Sequence, residues 1–299
     1  MTFIEKQIKA AGISLPRQKQ QLLQQVVDAL APIEGVAAIV LGGSYAQGAA
    51  TKESDMDIGL YYMPDRPFDT GSIRQVAGRF ATETPAVTGF YEWGPWVNGG
   101  AWIQTTAGKV DFLYRNIEQV TQTIENAQSG KWKNHFEQQP PYGFSSLFYL
   151  AETQCCIPLM DDQGIIARLK ETSKTYPSQL KKNVVTQTLW SAEFTIWNAG
   201  KFAATGDVYS TVGCLTRAVK DIVSALFAIN GLYPMGDKRA IVQLEAAPLK
   251  PARLTDKVAQ ILCADPHTLK KSVQLLQALH REVVALSAPL YEPLFRLPD

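Results

Sequence analysis

Two aspartates spaced two apart, Asp55 and Asp57, stand at the start of an apolar run that reaches Met63. Ten residues earlier another apolar run, Val36 to Leu41, ends in Gly42-Gly43-Ser44. Side chains two apart along a strand point to one face, so this spacing sets the two carboxylates side by side. Two such anions repel each other unless a cation lies between them. An all-oxygen pair suits Mg²⁺, which takes one or two carboxylates and completes its shell with phosphate oxygens and water. A Gly-Gly-Ser turn lets backbone N–H groups come close to a phosphate and face it. Gly42, Gly43 and Ser44 are therefore the expected phosphate contacts, with Ser44 offering both its N–H and its hydroxyl. Taken alone, Gly-Gly-Ser is an ordinary turn and Asp-x-Asp an ordinary solvated strand end. Their conjunction at this spacing predicts phosphoryl or nucleotidyl transfer.

The pattern resembles the nucleotidyltransferase superfamily that includes DNA polymerase β. Leu41, Gly43, Ser44, Asp55, Met56, Asp57 and Ile58 fill the places of its signature, and Ser54-Asp55-Met56-Asp57 matches the common Ser-Asp-x-Asp form. Small members often carry Arg where this chain has Gln47. The resemblance implies a third carboxylate on a later strand. Residues 101–115 read as a hairpin, with β-prone runs on either side of Ala107-Gly108-Lys109. Asp111 lies in the second run between Val110 and Phe112, where a carboxylate is costly unless something pairs with it. It is the expected third metal ligand; the alternative is a capped or paired structural carboxylate. The resemblance implies Asp55, Asp57 and Asp111 as catalytic, metal-binding residues. It also implies two Mg²⁺ ions and ATP or another nucleoside triphosphate as co-substrate.

The elements that must position these residues change character along the chain. Leu22, Leu23, Val26, Val27 and Leu30 make a helical stripe over 17–32. Strands are expected at about 36–43 and 56–63, then a helix at about 70–82, the hairpin, and a helix from Ile117. Residues 1–139 thus read as a mixed-sheet domain, with Pro140-Pro141-Tyr142-Gly143 as the linker. Over 143–299 helical periodicity dominates, with helices expected at about 143–156, 179–199, 208–229, 237–246, 252–263 and 267–287. The fold class is α+β: a mixed-sheet nucleotidyltransferase domain followed by an α-helical bundle. That layout is similar to antibiotic nucleotidyltransferases of the kanamycin type, and the segment Leu226–Lys238 looks like one that recurs in their C-terminal domains. The specific motifs span only 41–115.

Other residues carry two readings each. Trp93, Trp96 and Trp102 either cover a sheet edge or line an acceptor pocket, since aromatic faces stack on sugars, rings and amines. Glu92 beside them is a solvated loop residue or an acceptor contact. The triphosphate tail calls for a lysine from the helical domain. Lys238, after a turn and near a helix start, is the first choice, followed by Lys220 and Lys201. Each is otherwise a surface lysine. Glu193 sits among Trp190, Phe194 and Trp197 and reads as an exposed helix face or, in apolar company, a general base.

Composition frames the partners. A chain of 299 residues suggests about two domains, and 46% hydrophobic residues supply a core. A formal net charge of +1 argues against a nucleic-acid partner, which normally demands a basic stripe. No apolar run is long enough to span a membrane and no signal-peptide pattern occurs, so a cytoplasmic location is expected. Cys155, Cys156, Cys214 and Cys263 form no Cys-x-x-Cys pair, and neither zinc nor a disulfide framework is expected. The expected activity is transfer of a nucleoside monophosphate, AMP from ATP as first choice, to a hydroxyl of a small molecule, an antibiotic being the best-known class among the relatives. The alternatives are nucleotidylation of protein or RNA, and a non-catalytic nucleotide-binding or antitoxin-like module.

Overall fold

A computed structural model describes residues 2–294 of the chain. The first unit comprises the chain up to Glu125 together with Lys133–Thr175, and the second Asn126–Trp132 together with the chain from Tyr176. The fold class is α+β, as expected.

In the first unit, helices α1 (Phe3–Ala10) and α2 (Arg17–Leu30) precede strand β1 (Ala38–Leu41). The short helix α3 (Gly43–Ala46) occupies the expected Gly-Gly-Ser turn, and β2 (Met56–Tyr62) follows. Then come α4 (Thr70–Phe80), β3 (Ala86–Val87), and the hairpin of β4 (Gly100–Thr105) and β5 (Gly108–Asn116). The hairpin turns at Thr106-Ala107, slightly ahead of the Ala107–Lys109 turn expected, because Thr105 pairs directly with Gly108.

The rest of this unit holds α5 (Ile117–Gln128), a small ribbon of β6 (Asn134–His135) with β7 (Phe144–Ser145), α6 (Leu147–Cys155), β8 (Ile157–Met160) and α7 (Ile165–Ser173). The six-stranded sheet runs β3-β4-β5-β2-β1-β8. Among the described residues, β2 and β5 form the one parallel pairing of this sheet.

Alternation divides the sheet. Ile39 and Leu41, Met56, Ile58 and Leu60, Val110 and Phe112, and Ala101 and Ile103 face one side, where Leu23, Val26 and Leu30 of α2 and Ile73, Val76 and Ala77 of α4 close the core. The intervening residues, among them Asp57, Asp111 and Trp102, face the other side.

β8 lies beyond the Pro140–Gly143 segment yet pairs with β1. The division between units therefore falls after Thr175 rather than at that segment. A four-residue strand containing Pro158 carries too little pattern to read as sheet.

The second unit is helical: α8 (Ser178–Thr205), α9 (Val208–Ile229), α10 (Ala240–Glu245), α11 (Leu254–Leu262) and α12 (Leu269–Ser287). Leu189, Ala192 and Ile196 of α8, Leu215 and Ile222 of α9, and Leu276 and Val283 of α12 are fully buried. Asp207 caps α9 by accepting from the Ser210 N–H at 3.0 Å. Asp221 of α9 is buried and accepts from the Ser191 hydroxyl at 2.7 Å. Among the described residues no helix is long and apolar enough to cross a membrane.

Candidate active site

The parallel β2–β5 pairing sets Asp57 directly opposite Asp111. Both project from the sheet face away from the core, as their buried neighbours Met56, Ile58, Val110 and Phe112 require. Asp55 precedes β2 by one residue and shares that face by the two-residue period. Lys109, two residues before Asp111, lies between the outer carboxylates: its Nζ is 3.0 Å from Asp55 Oδ2 and 2.9 Å from Asp111 Oδ2. The buried Asp111 Oδ1 has no hydrogen-bond partner.

The glycine turn closes on the same group. The Gly42 N–H donates to the Asp57 carbonyl at 2.8 Å. Gly43 has φ +58°, and a Cβ there would lie 1.7 Å from Asp57 Oδ2. Position 43 thus needs glycine twice, for its left-handed backbone and for the carboxylate pressed against it. Lys19, buried on α2, ties the turn to the strand. Its Nζ donates to Tyr45 Oη at 2.8 Å and to the Ser54 carbonyl at 2.7 Å.

Burial pushes Asp57 up to about 6, with the charges of Asp111, Asp55 and Glu152 adding to it and Lys109 opposing. Burial also raises Asp111, against the pull of the Lys109 hydrogen bond. For Lys109 burial acts downward, but its bonds to Asp111 and Asp55 outweigh it and hold the ammonium above its usual range. Arg115 on β5 is buried and grips Glu152 of α6 with two bonds, Nε to Oε2 at 2.8 Å and a terminal nitrogen to Oε1 at 3.0 Å. That pair holds a fourth carboxylate near Asp57.

Residues 23–96 match the family model described as a nucleotidyltransferase domain. The chain carries a nucleotidyltransferase domain. The matched stretch includes Gly42–Ser44, Asp55 and Asp57; Asp111 lies beyond it. Residues 149–238 match a domain of unknown function, DUF4037. Among solved structures the chain is similar to a nucleotidyltransferase-like protein from Exiguobacterium sibiricum 255-15, at 8% identity and a TM-score of 0.44, over 90% of this chain and 77% of that one. No curated protein matches.

Within the first unit, Asp55, Asp57, Asp111 and the Gly42–Ser44 turn come together. Ser44 is half-buried in the first turn of α3, where helix N–H groups have no intrahelical acceptor. Lys238 is exposed in the second unit, just before α10. Lys201 lies over the Trp197 ring at 3.2 Å, and Lys220 is 3.4 Å from Asp221 Oδ1. Glu193 is fully buried, not on an exposed face: the Tyr291 hydroxyl and the Leu294 N–H donate to its Oε2.

Lys109 is the site residue that sequence reasoning missed, although its two-residue offset from Asp111 was a usable signal. Lys19 and the Arg115–Glu152 pair had no local signal, since their partners lie far away in sequence.

Among the described residues no three His, Cys, Asp or Glu side chains form a ready-made cation cage. Here Asp55 and Asp111 each turn one oxygen, Oδ2, toward the Lys109 ammonium. The donor set still fits a hard divalent cation. A positive charge already bridges two of the three carboxylates, Asp111 Oδ1 lacks a partner, and the third carboxylate is held at raised cost beside them.

Proposed function

We propose that the chain is a metal-dependent nucleotidyltransferase that moves a nucleoside monophosphate, AMP from ATP as first choice, to a hydroxyl of a small acceptor and releases pyrophosphate. The observation that carries this reading is the direct pairing of Asp57 with Asp111, on one sheet face with Asp55 and against the Gly43 turn.

Asp55, Asp57 and Asp111 would hold Mg²⁺. The ion supplies charge neutralisation of the phosphates and acidification of the attacking hydroxyl. The remaining work falls to the chain. The turn at Gly42, Gly43 and Ser44 presents backbone N–H groups, with no Cβ at 43 to block the approach of a phosphate tail. Lys19 fixes the spacing of that turn from the segment entering Asp55. Lys109 neutralises Asp55 and Asp111 before substrate arrives, and its flexible stem lets the ammonium follow negative charge as it moves.

The test is a screen of small hydroxyl compounds with ATP and Mg²⁺, read as pyrophosphate release and by mass spectrometry as a nucleotidylated product. Metal-dependent release with a product of acceptor plus AMP supports the reading. Nucleotide binding without release, across the panel and with other nucleoside triphosphates, contradicts it and favours a binding module. Label appearing on protein or RNA instead would move the acceptor class.

A further inference from the structure

We infer that the helical second unit carries a ligand site of its own, a cavity that takes a planar aromatic monoanion. The inference does not draw on the nucleotidyl-transfer reading.

The cavity has a volume of about 760 Å³, within the range of small-molecule pockets. Three stretches far apart in sequence wall it, residues 130–132, residues 182–190 of α8 and residues 290–294, and all belong to the second unit.

Hydrogen bonds fix these walls to one another. Gly130, at φ +75°, lies so close to α8 that a Cβ there would meet Asn183 Nδ2 at 2.6 Å, and the same amide donates to the Gly130 carbonyl at 2.9 Å. Gln179 Nε2 holds that amide in place by donating to Asn183 Oδ1 at 2.8 Å. The third stretch is secured by Glu193. A buried carboxylate is costly unless its oxygens are bonded. This one, fully buried in the bundle, accepts from the Tyr291 hydroxyl and from the Leu294 N–H at 3.1 Å. Glu193 has no part in the transfer chemistry; what it secures is a wall of this cavity.

The groups offered inside those walls are unengaged. Among the described residues, the side chains of Lys131, Lys182 and Glu292 make no ion pair or hydrogen bond, and the Trp132 ring stacks on no other ring. Trp190 meets Phe194 in parallel at 5.8 Å and keeps 42% of its surface open.

Two tryptophans and two lysines define the ligand. An aromatic ring packs offset against or edge-on to an indole, and a carboxylate accepts short, charge-assisted bonds from ammonium groups. Two lysines against one glutamate leave the lining with a single net positive charge. That balance suits a monoanion and not a triphosphate. A neutral arene would leave the ammonium groups unanswered, and an aliphatic anion would leave the indoles without a partner ring.

The test is calorimetric titration of the full chain, without nucleotide or Mg²⁺, with indole-3-acetate as the probe. Indole-3-acetamide keeps the ring without the charge, tryptamine reverses the charge, and cyclohexaneacetate keeps the charge without the aromatic ring. Indole-3-acetate should bind with a Kd below about 1 mM and about ten-fold more tightly than any of the three. Trp132→Leu should weaken it about five-fold or more. Lys131→Met combined with Lys182→Met should weaken it about ten-fold, and the corresponding pair of arginine substitutions should retain it. These are solvent-accessible side chains, so the melting temperature should stay unchanged in every variant. Excess ATP should not displace the probe. No binding of indole-3-acetate, equal binding of any comparison compound, or variants that bind like the wild type would overturn the site. Competition by ATP would make the cavity a nucleotide site and overturn the assignment. None of these results would alter the case for nucleotidyl transfer, which is read from pyrophosphate release.

Discussion

Gly43 and Asp57 are pressed together so closely that a Cβ on residue 43 would lie 1.7 Å from Asp57 Oδ2. The glycine is therefore part of the carboxylate's environment as well as of the phosphate turn. Gly43→Ala must displace one or the other and also leave a left-handed φ, at a cost of about 1–3 kcal/mol. We expect folded protein with lowered thermal stability and nucleotide turnover reduced a hundred-fold or more (roughly 3 kcal/mol of barrier). Turnover at the wild-type level would show that the turn does not approach Asp57 during catalysis.

Lys109 acts as an internal cation for Asp55 and Asp111. Lys109→Met removes it and leaves the buried Asp111 without that partner. The melting temperature in a chelator should fall, and Mg²⁺ should raise it by more in the variant than in the wild type, because an added cation then replaces the ammonium. Equal Mg²⁺ shifts in the two proteins would separate Lys109 from the metal site.

Charging Asp57 is costly: burial comes first, and the charges of Asp111 and then Asp55 add to it. Asp57→Asn keeps the shape and removes the charge. In metal-free buffer its melting temperature should match or exceed that of the wild type, while Mg²⁺ should stabilise it less. A marked loss of metal-free stability would show that the Asp57 charge is paired structurally.

How much of this was legible follows from the range of the signals. The two-residue period revealed the shared face of Asp55 and Asp57, and the β-prone runs around residues 107–109 revealed the hairpin that carries Asp111. Both are local patterns. β8 escaped because its stability comes from pairing with β1, far away in the chain. The surroundings of Glu193 were read inside out. Glu193 was expected on an exposed helix face or as a base in apolar company, yet Trp190, Phe194 and Trp197 stack in sequence along an exposed stripe, while Glu193 points into the bundle. Helical periodicity fixes which residues share a side, and packing partners decide which side is inward.

His280 gives the helical unit a pH dependence of its own. It is buried with Nε2 3.3 Å from the Leu189 carbonyl oxygen, and burial holds it below the usual histidine range despite the opposing pull of that carbonyl and of Glu193. The unfolded chain keeps an ordinary pKa of about 6.5 and so binds a proton that the folded one refuses. The contribution is complete above that value and is lost as pH falls below it. The urea midpoint should drop between pH 7.5 and pH 5.5, and the drop should be smaller in His280→Leu. An equal drop in both proteins would assign the effect elsewhere.

The central claim is that Asp55, Asp57 and Asp111 form one metal-dependent nucleotidyl-transfer site. It is tested most directly by pyrophosphate release from ATP, measured with Mg²⁺ and with excess chelator, in the wild type and in Asp111→Asn. The account predicts release in the wild type that chelation abolishes. In Asp111→Asn it predicts turnover lower by orders of magnitude with nearly unchanged ATP affinity. Release that survives chelation, or an Asp111→Asn protein that turns over like the wild type, would contradict it.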